Sequence, residues 1–349
     1  MKIIFLPRYA ANGASSRYRL LQFFDYFREQ KVNFSSQSFF DEKYLLDKYS
    51  GKKISAFYLM SRYFKRFLVV FKIRSYDLVV IEKEIFPSLP IFFDKIFYFL
   101  NKNWVVDYDD AVQVLYENKM FLGNKIADVI KLSRAVVVAN QNMYDYAKKY
   151  NATVYLIPDA IKSETYLPKS DYSNHGKIVI GWAGSQSTKK FLDVIVNCLQ
   201  KIAKEIPIVL RCIGISGFDI LGVEVENIKW NEEKEPGIIR NFDIGIMPLT
   251  DDPFSRGKSS LKIIQYFAAG VPAVASPVGF NKNVIKSGDD GFLADSELDW
   301  EKYLKMLIKD QELRKKIGQS GRRSFEENFA FSKIAPQMLS VYLSLTAKK

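Results

Sequence analysis

The stretch from Asp243 to Asp295 decides the fold: DIGIMPLTDDPFSRGKSSLKIIQYFAAGVPAVASPVGFNKNVIKSGDDGFLAD. Its first apolar run, IGIMPL, predicts a short strand, and the polar run LTDDPFSRGKSS that follows predicts a loop. A helix is predicted over Leu261–Ala269, because Gly270 and Pro272 stand where a helix would end. The small residues AVAS then predict a second strand before the next glycine turn.

The start of this helix is suited to binding phosphate. Ser259 or Ser260 can cap a helix that begins at Leu261. The cations that flank the same point are Arg256, Lys258 and Lys262. Since backbone N–H groups and the helix dipole face an anion there, the loop and helix predict a diphosphate site.

The residues from Gln265 to Ser276, QYFAAGVPAVAS, resemble the E-A-M-A-A-G-x-P-V-V-A-S block of retaining glycosyltransferases of family 4, also called glycosyl transferases group 1. The later run GDDGFL, from Gly288 to Leu293, resembles the D-G-x-N-G-L-L turn of the same family. The resemblance implies an α/β chain with the GT-B fold. Two Rossmann-like doubly wound domains then face a central cleft, and a C-terminal helix crosses back to the first domain.

Short apolar strands alternate with helical patterns in both halves of the chain. The strands predicted in the first half are Ile3–Leu6, Leu78–Glu82, Trp104–Asp107, Ala135–Ala139 and Val154–Ile157. Those predicted in the second half are Lys177–Trp182, Ile208–Ile213, Ile228–Trp230, Ile244–Pro248 and Pro272–Ser276. This alternation predicts two doubly wound parallel sheets.

The two halves meet near His175, in the polar stretch SDYSNHGK, which reads as a linker. We predict an N-terminal Rossmann-like domain over residues 1–168, a C-terminal one over 176–330 and a helix over 331–349. The resemblance implies that the first domain binds the acceptor and that the second binds the nucleotide sugar. It also implies that the last helix packs back on the N-terminal domain.

Composition limits the chemistry. His175 is the only histidine among 349 residues, so histidine acid–base catalysis and a Ser-His-Asp triad are nearly excluded. The two cysteines, Cys198 and Cys212, lie in apolar settings, which argues against a disulfide framework and fits a reducing cytoplasm. The N-terminal MKIIFLPRYA reads as a first strand rather than a signal peptide. No apolar run approaches the roughly eighteen residues of a membrane span.

Positive charge is concentrated in the first half of the chain. Residues 1–170 hold 26 Lys and Arg against 17 Asp and Glu, so they supply +9 of the formal net charge of +12. The stretch from Ile54 to Arg74 mixes bases with six Phe and Tyr residues. Three interpretations stay open: a core helix with a solvated basic face, a face that rests on anionic lipid, and a nucleic-acid site. Nucleic acid is disfavoured because no recognised motif accompanies the patch.

A polar loop, PRYAANGASSRYR, leads from the first strand into a helix. The predicted helix caps and anion-binding groups are Ser15, Ser16, Arg17 and Arg19. Cations in a first helical turn oppose the dipole, so a donor diphosphate or phospholipid acceptor nearby would explain them. The alternative is that both arginines pair with acids such as Glu82 or Glu84. By resemblance, Gly13 sits where related transferases let the backbone approach the sugar diphosphate.

Three carboxylates follow the strand that begins at Trp104, in the sequence DYDD. They stand at the carboxyl end of a strand, which is the ligand side of a parallel sheet. The resemblance implies that Asp109 or Asp110 orients the transferred sugar or the acceptor hydroxyl. A metal-diphosphate role is disfavoured, because the phosphate site supplies positive charge without a metal. Asp110 can alternatively cap a helix that starts at Ala111.

The loop GWAGSQSTKK, residues 181–190, links a strand to a helix in the second half. It resembles the family's first nucleotide-binding loop, which ends with a lysine on the donor phosphates. The residues this implies are Gly184, Ser185, Lys189 and Lys190. A plain connecting loop is the alternative.

The chain departs from the family at its signature of two glutamates. Gln265 stands at the second position, where it can hydrogen-bond a ribose without carrying charge, or serve as an ordinary helix residue. Gly257 stands at the first position and offers no side chain. We therefore expect the sugar contact to come from elsewhere, with Asp251 and Asp252 as candidates.

The resemblance, together with these residues, implies a cytoplasmic retaining glycosyltransferase at the inner face of the cell membrane. The donor is a nucleotide-diphosphate sugar, with UDP favoured and GDP next, and it is a substrate rather than a cofactor. No metal is required. The predicted partners are a lipid-linked or saccharide acceptor and an anionic membrane surface, and nucleic acid is not among them. The alternatives are a degenerate scaffold protein and an epimerase or phosphorylase of the same architecture.

Overall fold

The computed structural model describes residues 2–173 and 176–346, so the linker predicted at His175 lies outside the described residues. The chain divides into two compact units. The first contains Met1–Ala160 and Ile334–Lys349, and the second contains Ile161–Lys333. Each unit is built on a six-stranded parallel sheet.

The first sheet has the strand order β2-β1-β3-β4-β5-β6. Its strands are β1 Lys2–Leu6, β2 Asn33–Ser36, β3 Leu78–Glu82, β4 Trp104–Tyr108, β5 Ala135–Val138 and β6 Val154–Leu156. The central strands β3, β4 and β5 are buried at every position, because helices cover both faces of a parallel sheet. The chain reverses its direction of progress across the sheet between β1 and β3, which makes that point the expected ligand crevice.

The helices around the first sheet are mostly amphipathic. They are α1 Ala14–Arg19, α2 Phe24–Glu29, α3 Glu42–Tyr49, α4 Ala56–Ile73, α5 Ile91–Leu100, α6 Lys125–Leu132 and α7 Gln141–Lys148, with short 3₁₀ helices at Leu21–Phe23 and Val112–Leu115. Among the described residues, no helix is long and apolar enough to cross a membrane.

The second sheet has the strand order β12-β11-β10-β7-β8-β9. Its strands are β7 Ile178–Ala183, β8 Ile208–Ile213, β9 Glu224–Ile228, β10 Ile244–Met247, β11 Ala273–Ala275 and β12 Gly291–Leu293. Its helices are α8 Val196–Glu205, α9 Glu235–Arg240, α10 Pro253–Arg256, α11 Leu261–Ala268, α12 Asn281–Val284, α13 Glu297–Lys309 and α14 Gln311–Asn328, with a 3₁₀ helix at Lys189–Ile195. The reversal in this sheet falls between β7 and β10.

The last helix, α15 Phe331–Thr346, packs on the first unit over most of its length. The Tyr342 ring lies edge-on to Phe5 and Phe27, with ring centres 5.7 and 6.1 Å apart. Near the helix end, the Leu345 carbonyl accepts hydrogen bonds from Asn103 and Arg134. The predicted α/β fold, with two doubly wound sheets and a terminal helix returning to the first, is confirmed.

Several predicted elements differ from the structure in instructive ways. The strand predicted at Ile228–Trp230 instead covers Glu224–Ile228, where alternating Glu residues at the sheet edge mask the apolar pattern. The edge strands β2 and β12 were not predicted. Both are short, and a strand that pairs with a neighbour on one side only needs few apolar residues. The polar run before α11 contains a helical turn, α10, which Asp252 caps by accepting a hydrogen bond from the Ser255 N–H.

Candidate active site

Two predicted donor-binding segments meet beside the reversal point of the second sheet. Strands β7 and β10 are hydrogen-bonded neighbours, so the loops that follow them leave the same edge. The Lys258 ammonium lies 5.7 Å from the centre of the Phe191 ring, in the 3₁₀ helix after β7, and 4.5 Å from that of Phe254. Lys258 is half-buried, and among the described residues it makes no ion pair. A positive charge is thus held on two aromatic faces at the ligand edge.

The other predicted cations already have protein partners. Arg256 makes two hydrogen bonds to Asp251, of 2.6 and 3.0 Å, and both side chains are more than half exposed. The Lys262 ammonium lies 3.3 Å from Gln265 Oε1 and 3.9 Å from Glu235 Oε1. An exposed ion pair is worth little in water, so Arg256 can exchange Asp251 for a phosphate at small cost.

In the predicted donor-binding loop at the end of β7, residues 181–190, the side chains also have partners within the protein. Lys189 donates to the Gly217 carbonyl at 2.7 Å, and the Lys190 ammonium lies 5.3 Å from the centre of the Phe191 ring. Ser185 closes a turn with Thr188, whose hydroxyl accepts from the Ser185 N–H at 3.0 Å. A Cβ on Gly184 would lie 2.1 Å from the Trp182 ring, so packing alone requires glycine there.

The serine cap predicted for α11 is wrong. Ser260 is the residue before the helix, but its backbone is left-handed, with φ of 59°, and its hydroxyl donates to Asn281 Oδ1 at 2.7 Å. Ser259 is buried and makes no cap either. Among the described residues, no side chain therefore caps α11, and the N–H groups of such a helix end are satisfied by water or by an anion.

Gln265 is completely buried rather than exposed at the site. Its Nε2 donates to the Tyr166 hydroxyl at 2.6 Å, and its Oε1 accepts from Lys262. Gly257 ends α10 with an ordinary φ of −92°. Of the two alternatives for the missing carboxylate, Asp252 is the cap of α10, and Asp251 holds Arg256.

A buried polar network occupies the reversal point of the first sheet. Lys83, the residue after β3, lies 2.9 Å from Asp109 Oδ1, and its ammonium also donates to Ser15 Oγ at 2.8 Å. Ser15 in turn donates to Asp109 Oδ2. Burial raises the pKa of Asp109, but the charge of Lys83 and these hydrogen bonds outweigh it and hold the pKa at about 2. The Asp109 carboxylate is therefore ionised and fixed in orientation.

Ser15 and Ser16 are not helix caps, because α1 starts after Gly13 and contains both of them. Ser16 donates to Glu82 and accepts from the Tyr9 N–H at 2.8 Å. A Cβ on Gly13 would lie 2.4 Å from Tyr9 Cβ, so this glycine too has a packing reason. The hydroxyls serve the network between strand ends instead of the helix terminus.

Arg19 also differs from the prediction that it binds an external anion. It is 1% exposed and makes two hydrogen bonds to Asp107, of 2.8 and 3.0 Å, as well as an ion pair with Asp159 at 3.2 Å. The charges of these carboxylates outweigh burial and raise its pKa. Arg17 is half-buried and lies over the Tyr18 ring. The acids proposed as partners, Glu82 and Glu84, bind Arg8 instead, through its N–H and guanidinium.

Comparison with known proteins finds similar sequences. A model of the family described as glycosyl transferases group 1 matches residues 177–310. The chain is 24% identical over 276 residues to spore coat protein SA of Bacillus subtilis (strain 168), covering 67% of this chain and 72% of that one. It is 27% identical over 185 residues to N-acetyl-alpha-D-glucosaminyl L-malate synthase of Bacillus anthracis, covering 50% of this chain and 48% of that one.

Solved structures share the fold over nearly the whole chain. HepE of Anabaena, in complex with UDP and glucose, matches with a TM-score of 0.68 at 15% identity, over 99% of this chain and all of that one. Sucrose-phosphate synthase of Thermosynechococcus elongatus matches with a TM-score of 0.71 at 14% identity, over 99% of each chain.

The match to the glycosyl transferases of group 1 lies within the second unit, so this part of the chain is similar to that family. The resemblance seen in the sequence is thereby confirmed, and these matches support a nucleotide-sugar glycosyltransferase of the family 4 type. The site residue that the sequence analysis missed is Lys83. The sequence contains a signal for this lysine, because it follows a predicted strand directly and stands between two glutamates, Glu82 and Glu84.

The last acid of the DYDD segment is Asp110. It is half-buried, and its N–H donates to Asp109 Oδ1 at 2.9 Å. The Asp107 carboxylate accepts a hydrogen bond from Arg19, and the Asp109 carboxylate forms an ion pair with Lys83. Within residues 2–173 and 176–346, no group of three or more His, Cys, Asp or Glu is arranged to hold a metal ion.

Proposed function

We propose that this chain is a retaining glycosyltransferase that transfers a hexosyl or N-acetylhexosaminyl group from a nucleotide-diphosphate sugar. The favoured donor is a UDP-sugar, with a GDP-sugar next. The acceptor is lipid-linked or a saccharide, and the product enters bacterial cell-surface polysaccharide or glycolipid. The observation that carries this proposal is the approach of Lys258 to Phe191, because it joins the two donor-binding segments at one sheet edge.

The proposed reaction is a front-face transfer. The bond between the sugar C1 and the donor's β-phosphate oxygen breaks, and a bond from C1 to the acceptor oxygen forms on the same face. The acceptor proton passes to the leaving phosphate oxygen, so the chain needs no histidine. Arg256, Lys258, Lys262 and the uncapped N–H groups of α11 would stabilise the charge that grows on the diphosphate. No metal or cofactor takes part.

Several neighbours support a UDP-sugar as donor. HepE of Anabaena is known in complexes with UDP and glucose and with UDP-glucose. TarM of Staphylococcus aureus is known in a complex with UDP, with a TM-score of 0.57. In the present chain, Gly184, Ser185, Lys189 and Lys190 would complete the donor site with Ser259, Ser260, Leu261 and Gln265. Gln265 would have to leave Tyr166 to reach a ribose, because its amide is buried.

On the acceptor side, Asp109 and Asp110 would orient the acceptor hydroxyl or the transferred sugar. Asp109 suits hydrogen-bond acceptance rather than general-base catalysis, because a carboxylate with a pKa of about 2 holds a proton poorly at neutral pH. Gly13, Arg17, Ser15, Ser16 and Arg19 would shape the same edge. The lipopolysaccharide outer core galactosyltransferase WaaB, with a TM-score of 0.65, supports a cell-surface acceptor. Such acceptors place the protein on the cytoplasmic face of the cell membrane, peripherally associated with anionic lipid.

A scaffold role is the second candidate, and Gly257 is the observation that favours it. A glycine at the first glutamate position removes one sugar contact, and neither Asp251 nor Asp252 is free of other hydrogen bonds. A degenerate chain would keep the fold but would no longer bind the donor sugar nucleotide.

The two candidates are separated by nucleotide release from the purified full-length chain. UDP-, GDP- and ADP-sugars are supplied with and without an extract of bacterial membrane lipids, and free nucleotide is measured. We expect UDP release that the lipid extract stimulates, and a product whose anomeric configuration matches that of the donor by NMR. Neither binding nor turnover with any donor would contradict catalysis and favour the scaffold.

A further inference from the structure

Helix α4 carries a second apolar stripe that faces away from the protein. Its inward side is ordinary core, with Val69 and Ile73 buried. The outward side has large apolar residues at intervals of three, four and seven: Phe57, Met60, Phe64, Phe67, Leu68 and Phe71, all between 41% and 81% exposed. An amphipathic surface helix has one apolar stripe, so the second one needs a partner.

Helix α5 packs beside α4 and carries exposed phenylalanines of its own. Phe92 and Phe99 on α5 are 65% and 75% exposed. We call these two phenylalanines and the six outward residues of α4 the aromatic face. Nine of the nineteen large exposed apolar side chains among the described residues lie on α4 and α5, so this exposure is concentrated on two helices that contact each other.

The exposed charges that α4 and α5 themselves carry have one sign. Helix α4 contains no acidic residue, and the only acid of α5, Asp94, is completely buried and lies 3.4 Å from Lys125. The exposed cations of the two helices and of the residue that follows α5 closely are Lys65, Lys72, Lys95 and Lys102. A second copy of the chain would bring these cations together and repel, whereas an anionic lipid surface complements them.

Two arginines of α4 are structural rather than part of this charge. Arg62 pairs with Asp41 at 2.7 Å. Arg66 is completely buried and donates to Gln37 Oε1 at 2.7 Å and to the Pro7 carbonyl at 3.1 Å. Pro7 and Gln37 follow strands β1 and β2, so Arg66 ties the back of α4 to the loops at the ligand edge of its own sheet.

We propose that α4 and α5 lie in the headgroup plane of a bilayer containing anionic lipid, with the aromatic face buried at the acyl boundary and the lysines at the phosphates. The proposal deepens the proposed function and rests on its lipid-linked acceptor. It assigns membrane binding to apolar insertion supported by charge, with Arg66 fixing the acceptor-side loops to the inserted helix.

The test is flotation of the full-length chain with vesicles of phosphatidylcholine alone or mixed with phosphatidylglycerol. We expect binding to the anionic vesicles and weak binding to neutral ones. Replacing three phenylalanines, Phe57→Ser, Phe64→Ser and Phe71→Ser, should weaken binding on the order of a hundredfold, since each ring loses its apolar burial. The matched control is Leu221→Ser with Leu298→Ser in the second unit, where both leucines are at least 75% exposed; it should bind as the wild type does.

A second pair of variants tests the charge. Lys65→Glu with Lys72→Glu should weaken binding on the order of tenfold at low salt, and Lys315→Glu with Lys316→Glu on α14 should not. All the replaced side chains are exposed, so unchanged thermal melting is expected and shows that each variant is folded.

Three outcomes would overturn the proposal. The first is wild-type binding by the triple phenylalanine variant, and the second is no binding of the wild type to either vesicle. The third is a concentration-dependent dimer, detected by sedimentation, that the phenylalanine replacements disperse while vesicle binding is absent. Vesicle binding without any nucleotide release would leave the surface assignment standing and contradict the proposed transferase function, so the two failures are distinguishable.

Discussion

Lys83 and Asp109 form an ion pair of 2.9 Å at the reversal point of the first sheet, and their side chains are only 11% and 10% exposed. Lys83 has a left-handed backbone, with φ of 66°, which is unfavourable for a residue with a side chain. Its N–H donates to the Asp107 carbonyl at 2.9 Å, so the turn joins the ends of β3 and β4. A strained backbone is retained here because it delivers the ammonium to the carboxylate.

Replacing one partner of this pair should cost far more than replacing both. Lys83→Met leaves a buried carboxylate without its cation, and we expect it to lower the free energy of unfolding by about 3–5 kcal/mol. Lys83→Met with Asp109→Asn should cost at least about 1 kcal/mol less than the sum of the single changes. Urea unfolding followed by circular dichroism measures all four proteins. The exposed pair of Lys131 and Asp128 is the control, where coupling near zero is expected. An equal coupling free energy in the two pairs would contradict this prediction.

The same pair predicts a pH dependence of stability. The pKa of Asp109 is about 2 in the folded protein and 3.8 in a free carboxyl group, so only the unfolded chain takes up its proton between these values. The stabilisation is complete above about pH 4 and is lost as the pH falls towards 2, by about 2 kcal/mol in all. Asp109→Asn should flatten this part of the urea midpoint against pH. Asp25→Asn, at an exposed residue, should leave the profile as in the wild type. A slope that Asp109→Asn does not change would assign the acid sensitivity to other groups.

Lys258 is expected to be the donor-site cation whose loss matters most. Lys258→Ala should reduce turnover on the order of ten- to a thousandfold, since a charge that stabilises the leaving diphosphate is removed. Lys258→Arg should keep part of the activity, because the charge stays over Phe191 and Phe254. Nucleotide release under saturating donor measures this, with Lys204→Ala on α8 as the control. Turnover unchanged by Lys258→Ala would remove this lysine from the site.

The sequence predicts most of the fold because its signals are local. The bounds of β3 and β8 are those that the apolar runs indicated, since both strands are buried on two faces. The helix α11 and the strand after it could also be predicted from the sequence, because a glycine and a proline end the helix and small residues form the strand. Edge strands such as β9 carry alternating charges, and only pairing with a neighbour reveals them.

The site is less predictable, because its chemistry depends on residues distant in sequence. The sequence predicts Ser260 as a helix cap, yet its hydroxyl donates a hydrogen bond to Asn281, which lies in a later helix. Arg19 looked like an anion-binding residue, yet Asp107 and Asp159 lie where only the folded sheet brings them. In each case, the observed partner lies far away in the sequence, where local patterns cannot reveal it.

Gly279 packs against Arg256, one of the residues proposed to bind the donor phosphates. It has a φ of +55°, and a Cβ placed on it would lie 2.3 Å from the Arg256 carbonyl oxygen. Gly217 is a matched control in the same unit, because its φ is +59° and a Cβ there would have no neighbour within 4 Å. Gly217→Ala should therefore show the left-handed strain alone, about 1–2 kcal/mol in the free energy of unfolding.

Gly279→Ala should add the clash to that strain. The backbone of Arg256 must shift to make room, so we expect a larger loss of stability and UDP binding weakened on the order of tenfold or more. Titration calorimetry with UDP, beside urea unfolding, measures both effects in the two alanine variants. If Gly279→Ala bound UDP as tightly as Gly217→Ala does, the position of the Arg256 loop would not matter to the donor, and Arg256 would lose its place among the phosphate-binding residues.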